Sequence, residues 1–121
     1  MSYTIKVSES GKYIEMKVVG NIDNLKAVQY NIEAHALARE NGINKHLVDV
    51  RDAVNTDTVT NNYNFAYKDM PQADIDLSAT VATVVSPDDH SHDFMETVSR
   101  NSGMNVRLFT DIDEAIAYLE S

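Results

Sequence analysis

The chain of 121 residues contains no cysteine, which excludes thiol redox catalysis, disulfide bonds and cysteine-ligated zinc. Glycine is also scarce, at four residues, and none belongs to a Gly-rich loop that could cradle a phosphate. No serine lies in a Gly-x-Ser-x-Gly elbow, so nucleophilic catalysis has no candidate set. No segment approaches the roughly 20 apolar residues that cross a bilayer. We therefore expect a protein without enzymatic activity, without a cofactor and without a membrane span.

Basic residues are few, with ten Lys and Arg against 19 Asp and Glu, and the net charge is −9. Binding to nucleic acid or to an anionic membrane surface needs clustered basic residues, whereas those of this chain are scattered. We therefore expect neither partner. The N-terminus, Met1–Val7, has neither the basic start nor the apolar run of a signal peptide. This predicts a cytoplasmic protein.

The length and the 43% hydrophobic residues are sufficient for a single domain over residues 1–121 with its own core. Tyr3–Val7 and Tyr13–Val19 alternate between apolar and polar residues, and a short turn that contains Gly11 joins them. Two such segments predict an antiparallel β-hairpin. Because an unpaired strand edge favours pairing with another chain, the hairpin also suggests a homodimer through its edge.

After the hairpin, helical and strand patterns alternate along the chain. Further strands are predicted at His46–Val50, Ala79–Val85 and Val106–Phe109. Apolar residues at helical spacing predict helices after Asp23, over 59–70, after the segment 86–93 and after Asp111. The resulting order is ββαβαβαβα with about four helices. We therefore expect an α/β fold with a mixed five-stranded sheet, a hairpin followed by parallel strands.

Three segments resemble the STAS domain of bacterial anti-sigma-factor antagonists and of sulfate-transporter tails. They are the hairpin, Leu47-Val-Asp-Val-Arg-Asp52 as the central strand, and Thr110–Leu119, which is similar to the D-x-x-E-A-x-x-x-L helix that closes such domains. The chain looks most similar to a divergent bacterial branch, the STAS/SEC14-like proteins, and the resemblance covers essentially its whole length. It implies a regulatory antagonist or scaffold that binds a protein partner.

STAS domains that act as phospho-switches carry D-S-S-G or D-S-x-G where the helix after the central strand begins. Here the corresponding stretch is Asp52-Ala-Val-Asn-Thr-Asp-Thr58, without serine or glycine. Thr56 is the best-placed hydroxyl, followed by Thr58, and the amides of a helix N-terminus would stabilise a phosphate there. With Asp52 and Asn55 they form the predicted partner and switch site. Alternatively, Thr56 or Thr58 only caps the helix.

The segment Asp88-Asp-His-Ser-His-Asp93 is the densest cluster of metal-ligand residue types. His90, His92 and Asp93 could bind zinc or another transition metal, so a small-ligand or metal-binding protein is the alternative function. The competing interpretation of this segment is a solvated helix start. A SEC14-like lipid binder is a further alternative, with a pocket beneath the second predicted helix. It would need a longer gate helix than the chain provides.

Overall fold

The computed structural model of the chain describes residues 2–56, 78–93, 96, 97, 100 and 104–120. Its strands are β1 (Ser2–Val7), β2 (Ile14–Ile22), β3 (Lys45–Asn55), β4 (Thr80–Val84) and β5 (Asn105–Phe109). Two helices are assigned in the described part of the chain, α1 (Asn24–Asn41) and α2 (Ile112–Glu120). The second predicted helix, over 59–70, lies outside the described residues. The third is represented by four described residues with helical backbone, Asp93, Glu96, Thr97 and Arg100.

The five strands form one sheet in the order β1-β2-β3-β4-β5. β1 and β2 are antiparallel, and the other three neighbouring pairs are parallel. The predictions of an α/β fold, a mixed five-stranded sheet and an N-terminal hairpin are therefore confirmed. In the hairpin connection Gly11 has a φ of +73°, a left-handed conformation that glycine adopts without steric cost.

Both ends of α1 follow from local sequence signals. Asp23 caps the N-terminus, because its Oδ1 accepts a hydrogen bond from the Lys26 N–H at 2.9 Å. Gly42 ends the helix in the left-handed conformation, and its N–H donates to the carbonyls of Ala38 and Arg39. The helix packs on β1 and β2 and covers one face of this part of the sheet.

Each face of the sheet carries its own hydrophobic cluster. On the α1 side, Ile14, Met16 and Val18 of β2 pack with α1 residues such as Tyr30 and Ala34. On the other face, the buried residues of β3, β4 and α2 are Leu47, Ala82, Val84, Ala115 and Leu119. Alternate residues of a strand point to opposite faces, so the two helices pack on opposite sides of the sheet.

β3 is longer than the sequence predicts, since it continues past Val50 to Asn55. The charged residues Arg51 and Asp52 interrupt the apolar run, and this interruption predicts a strand end at Val50. In the structure both side chains are exposed while Ala53 is buried, so the strand continues with one face towards solvent. Asp52 therefore lies within β3 and not in a loop before a helix.

A β-bulge makes this extension compatible with β2. Val50 and Arg51 of β3 together lie opposite Val18 of β2, and regular pairing resumes on either side. The Asp49 carboxylate accepts three hydrogen bonds from Arg51, from N at 3.1 Å, Nε at 3.0 Å and Nη2 at 2.8 Å. Burial raises the pKa of Asp49, but the bonds from Arg51 outweigh burial, so the pKa lies below its ordinary value. The ion pair thus fixes the bulged backbone.

Two buried histidines face each other between α1 and β3. The rings of His35 and His46 stack with centroids 4.2 Å apart and planes 21° apart. The sequence predicts no role for either residue, and it gives no reason for either to approach the His90–His92 cluster. The stacked pair lies on the α1 face of the sheet, beside the apolar cluster of that face.

Candidate functional site

The carboxyl ends of β3, β4 and β5 lie at one edge of the sheet, because these strands are parallel. Ligands and partners of open α/β sheets bind at this edge. β3 ends at Asn55, and the segment 85–93 follows directly after β4. We refer to residues 53–56 together with the segment 85–93 as the carboxyl-end surface. It contains Asn55 and Thr56 of the predicted switch site and all three predicted metal ligands.

Two hydrogen bonds join these regions. The Asn55 N–H donates to Ser91 Oγ at 3.2 Å, and His92 Nε2 lies 3.1 Å from the Ala53 carbonyl oxygen. Because a carbonyl can only accept, the hydrogen of the neutral His92 ring is on Nε2. His92 is 8% exposed, so water has little access to this bond. The structure therefore brings together two sites that the sequence predicts separately.

The predicted partner and switch residues follow one another at the end of β3. The Asp52 carboxylate lies 3.9 Å from the Lys17 ammonium and is 64% exposed. Thr56 is also exposed, and both its N–H and its hydroxyl donate to the Ile22 carbonyl, at 3.0 and 3.3 Å. Asn55 is half-buried between them. Thr58, and the helix that it was predicted to cap, lie outside the described residues.

The predicted metal ligands are divided between two directions. His90 Nδ1 lies 2.9 Å from Asp93 Oδ2 on the exposed side of the segment. His92 points inward, and its Nε2 is occupied by the Ala53 carbonyl. Within the part of the chain that the structure describes, no group of three His, Asp or Glu side chains is arranged to hold a metal ion. His90 and Asp93 thus form a pair without His92.

Asp89 stabilises the segment from within. Its Oδ1 accepts the Ser91 N–H at 2.9 Å, and its own N–H donates to the Ser86 carbonyl at 3.0 Å. Burial raises the pKa of Asp89, but the hydrogen bonds from Ser91 and the nearby His92 outweigh burial and hold the pKa below its ordinary value. The carboxylate is therefore ionised at neutral pH and is used to hold the turn that presents Ser91 and His92.

A shallow depression of about 320 Å³ lies between the segment 85–93, the end of β5 and the start of α2. Its polar lining includes the His90–Asp93 pair and Glu114, and its apolar lining includes Leu108 and Phe109. A depression with these groups can hold a small polar or cationic group. The sequence prediction missed the contributions of Leu108, Phe109 and Glu114, although the shared edge of parallel strands was a signal that could have found them.

The pocket that a SEC14-like lipid binder would need lies beneath the second predicted helix, outside the described residues. Among the helices that the structure describes, none combines the length and the apolar composition needed to cross a bilayer.

Comparison with known proteins gives no family-model match, and no curated protein matches the chain. The function is therefore inferred from the fold and from the geometry of the carboxyl-end surface.

Proposed function

We propose that the chain is a non-enzymatic STAS-like interaction module, a bacterial regulatory antagonist or scaffold that lacks the usual phosphorylatable serine. Its protein partner binds at the carboxyl-end surface. The observation that carries this proposal is the pair of hydrogen bonds from Asn55 to Ser91 and from His92 to Ala53. These bonds join the end of β3 to the segment 85–93, so a partner meets one continuous surface.

The sheet is consistent with the resemblance on which the proposal rests. Leu47–Asp52 lies in β3, the middle strand of the five, as expected of the central STAS strand. The closing motif Thr110–Leu119 contains most of α2, which packs on β4 and β3. The proposal includes the complete order ββαβαβαβα, with two helices between β3 and β5 in addition to α1 and α2.

Thr56 is the group at which this surface would be switched. Its hydroxyl and its N–H both donate to the Ile22 carbonyl. Phosphorylation would remove the hydroxyl donor but leave the N–H bond, so the end of β3 would stay paired with β2. The modification would add about 1.5 to 2 negative charges at the exposed end of β3. It would therefore alter the charge that a partner meets and not the fold.

Partner capture with matched variants tests the proposal. The wild-type chain, Thr56→Val, Thr56→Glu and Ser10→Glu are each immobilised and exposed to lysate of the cells that produce the chain. Ser10 is exposed in the hairpin turn, at the opposite edge of the sheet, so Ser10→Glu controls for added charge. We expect one partner that the wild type, Thr56→Val and Ser10→Glu retain and Thr56→Glu loses. No partner, or equal capture by both Glu variants, would contradict the proposal.

The intact mass of the native chain, with peptide mapping over residues 51–68, tests the switch directly. A phosphoryl group on Thr56 or Thr58 would support a working switch, whereas an unmodified chain under all growth conditions would support a scaffold without one.

The depression beside His90, Asp93 and Glu114 favours a second candidate function, binding of a small ligand or metal ion. Metal analysis of tag-free protein and the melting shift on adding zinc distinguish it, with His90→Ala as the matched variant. A stoichiometric metal, or a zinc-induced shift that His90→Ala abolishes, would support this function. The absence of both would exclude metal binding at His90 and Asp93.

A further inference from the structure

Among the residues that the structure describes, the two edge strands of the sheet, β1 and β5, differ in how their outer edges are covered. At β5 the Glu96 carboxylate accepts the Leu108 N–H at 2.7 Å, so a side chain of the same copy occupies that edge. β1 is paired on its inner side with β2. A six-residue strand at the edge of a sheet is a template for pairing with another strand. The outer edge of β1 is therefore the place to consider a partner strand.

The register within the hairpin determines which β1 groups point outward. The Ser8 N–H donates to the Tyr13 carbonyl at 3.0 Å, so the backbone of Ser8 points towards β2. In an antiparallel pair, successive residues point alternately towards and away from the neighbouring strand. The N–H and C=O groups of Tyr3, Ile5 and Val7 therefore point to the outer edge. Their side chains share the α1 face of the sheet, where Tyr3 stacks on Tyr30 with ring centroids 4.0 Å apart.

We propose that two copies of the chain associate through antiparallel pairing of their β1 strands, with a two-fold axis at Ile5. Ile5 then lies opposite the partner's Ile5, and Tyr3 lies opposite the partner's Val7. In this register all three outward-pointing residues of each copy exchange hydrogen bonds across the axis. A register centred on Thr4 satisfies only Tyr3 and Ile5. The two sheets become one continuous sheet, with each copy contributing five strands.

The side chains match in the register centred on Ile5, which argues for a second copy as the occupant. On the α1 face every cross-strand pair is apolar, and Tyr3, which is 42% exposed in the single chain, gains a neighbour. On the other face Thr4 lies opposite the partner's Lys6. Lys6 is the only charged residue of β1, so no like charges lie directly opposite each other, although each copy carries a net charge of −9. The two Lys6 side chains are diagonal neighbours across the axis, and each lies 3.6 Å from Glu15 of its own copy. Apolar cross-strand pairs of this kind stabilise antiparallel sheets.

Cysteine cross-linking tests the register, and it is unambiguous because the chain has no cysteine of its own. Thr4→Cys and Lys6→Cys are purified separately, then oxidised alone and after mixing. Directly opposed residues of a non-hydrogen-bonded pair have Cα atoms about 4.5 Å apart, within the range of a disulfide. We expect a linked dimer in the mixture and none with either variant alone. Asn105→Cys, exposed on the edge strand β5, is the control for random collision.

Native mass tests the association itself. Light scattering is expected to give twice the 13.5 kDa chain mass, decreasing on dilution. Thr4→Lys places a like charge opposite the partner's Lys6 twice, and should weaken association roughly 2- to 30-fold, whereas Thr4→Glu should strengthen it. Because Thr4 also lies opposite Lys17 of its own chain, melting curves confirm that both variants fold. A monomer at every concentration, cross-linking of Thr4→Cys alone, or equal cross-linking of Asn105→Cys would overturn the proposal.

Discussion

Substitution of Asp49 by Asn tests whether its ion pair with Arg51 holds the bulge in β3. The Asp49 side chain is 10% exposed and accepts three hydrogen bonds from Arg51. A hydrogen bond to a charged group contributes about 1.5–3 kcal/mol. Because Asn keeps one acceptor oxygen but loses the charge, we expect the free energy of unfolding near neutral pH to decrease by about 1.5–3 kcal/mol.

The loss depends on pH in a direction that the pKa of Asp49 determines. The ordinary value is 3.8, and the folded-state pKa lies below it. A carboxyl whose pKa is lowered by folding contributes stability that is fully present above its unfolded pKa and is lost as the pH falls through the folded pKa. The deficit of Asp49→Asn should therefore be largest near neutral pH and should diminish as the pH falls below 3.8.

Urea denaturation near neutral pH and at successively lower pH measures the effect, with Asp52→Asn as the matched control. The Asp52→Asn substitution removes the same charge from the same strand. Because the ion pair of Asp52 with Lys17 is exposed and 3.9 Å long, this substitution should lower the free energy of unfolding by only about 0–1 kcal/mol. An equal cost for both substitutions would refute the reasoning. So would an Asp49→Asn deficit that is unchanged in acid.

Three further substitutions test the fold and the surface. Leu119→Ala should lower the free energy of unfolding by about 2–5 kcal/mol, because the Leu119 side chain is fully buried between α2 and the sheet. Leu25→Ala, at a site 72% exposed, should change it by less than about 0.5 kcal/mol. Equal effects of the two substitutions in urea denaturation would contradict the core assignment. His92→Leu should lower the free energy of unfolding by about 1–3 kcal/mol, because it leaves the Ala53 carbonyl unpaired. It should also speed amide hydrogen exchange at residues 53–56, and unchanged exchange would contradict the hydrogen-bonded contact between the two regions. Asp23→Ala should cost about 0.5–2 kcal/mol through the lost cap of α1 and should speed amide hydrogen exchange in the first turn of α1. Asp111→Ala removes an acceptor at the start of α2 and should leave exchange in α1 unchanged; equal effects of both substitutions on α1 would contradict the assigned cap.

Secondary-structure elements that are determined by residues close together in the chain could be predicted from the sequence. The hairpin follows from two alternating segments around Gly11. The start and end of α1 follow from Asp23 and Gly42. These features depend on side chains within a few residues of one another, so composition and spacing are sufficient to find them.

The end of β3 could not be predicted in the same way, because it depends on pairing with β2. Arg51 and Asp52 suggest a loop by their charge, yet the bulge lets β3 pair with Gly20–Ile22. The joint between Ala53 and His92 spans 39 residues, and no spacing rule indicates it. For the candidate site, the sequence singled out two regions by their polar residues but gave no measure of their distance from each other.

The tautomer of the His92 ring makes the contact between β3 and the segment 85–93 observable by ¹⁵N NMR of one side chain. When the ring is neutral, with its hydrogen on Nε2 and donated to the Ala53 carbonyl, its two nitrogens should give well-separated ¹⁵N resonances. The chain has four histidines, so the assignment is small enough to be made by substitution. Any molecule that draws the segment 85–93 away from β3 would let this ring exchange between tautomers and merge the two resonances. His92 thus reports whether an occupant of the carboxyl-end surface leaves the hydrogen bond to Ala53 intact or breaks it, and this can be measured before the occupant is known.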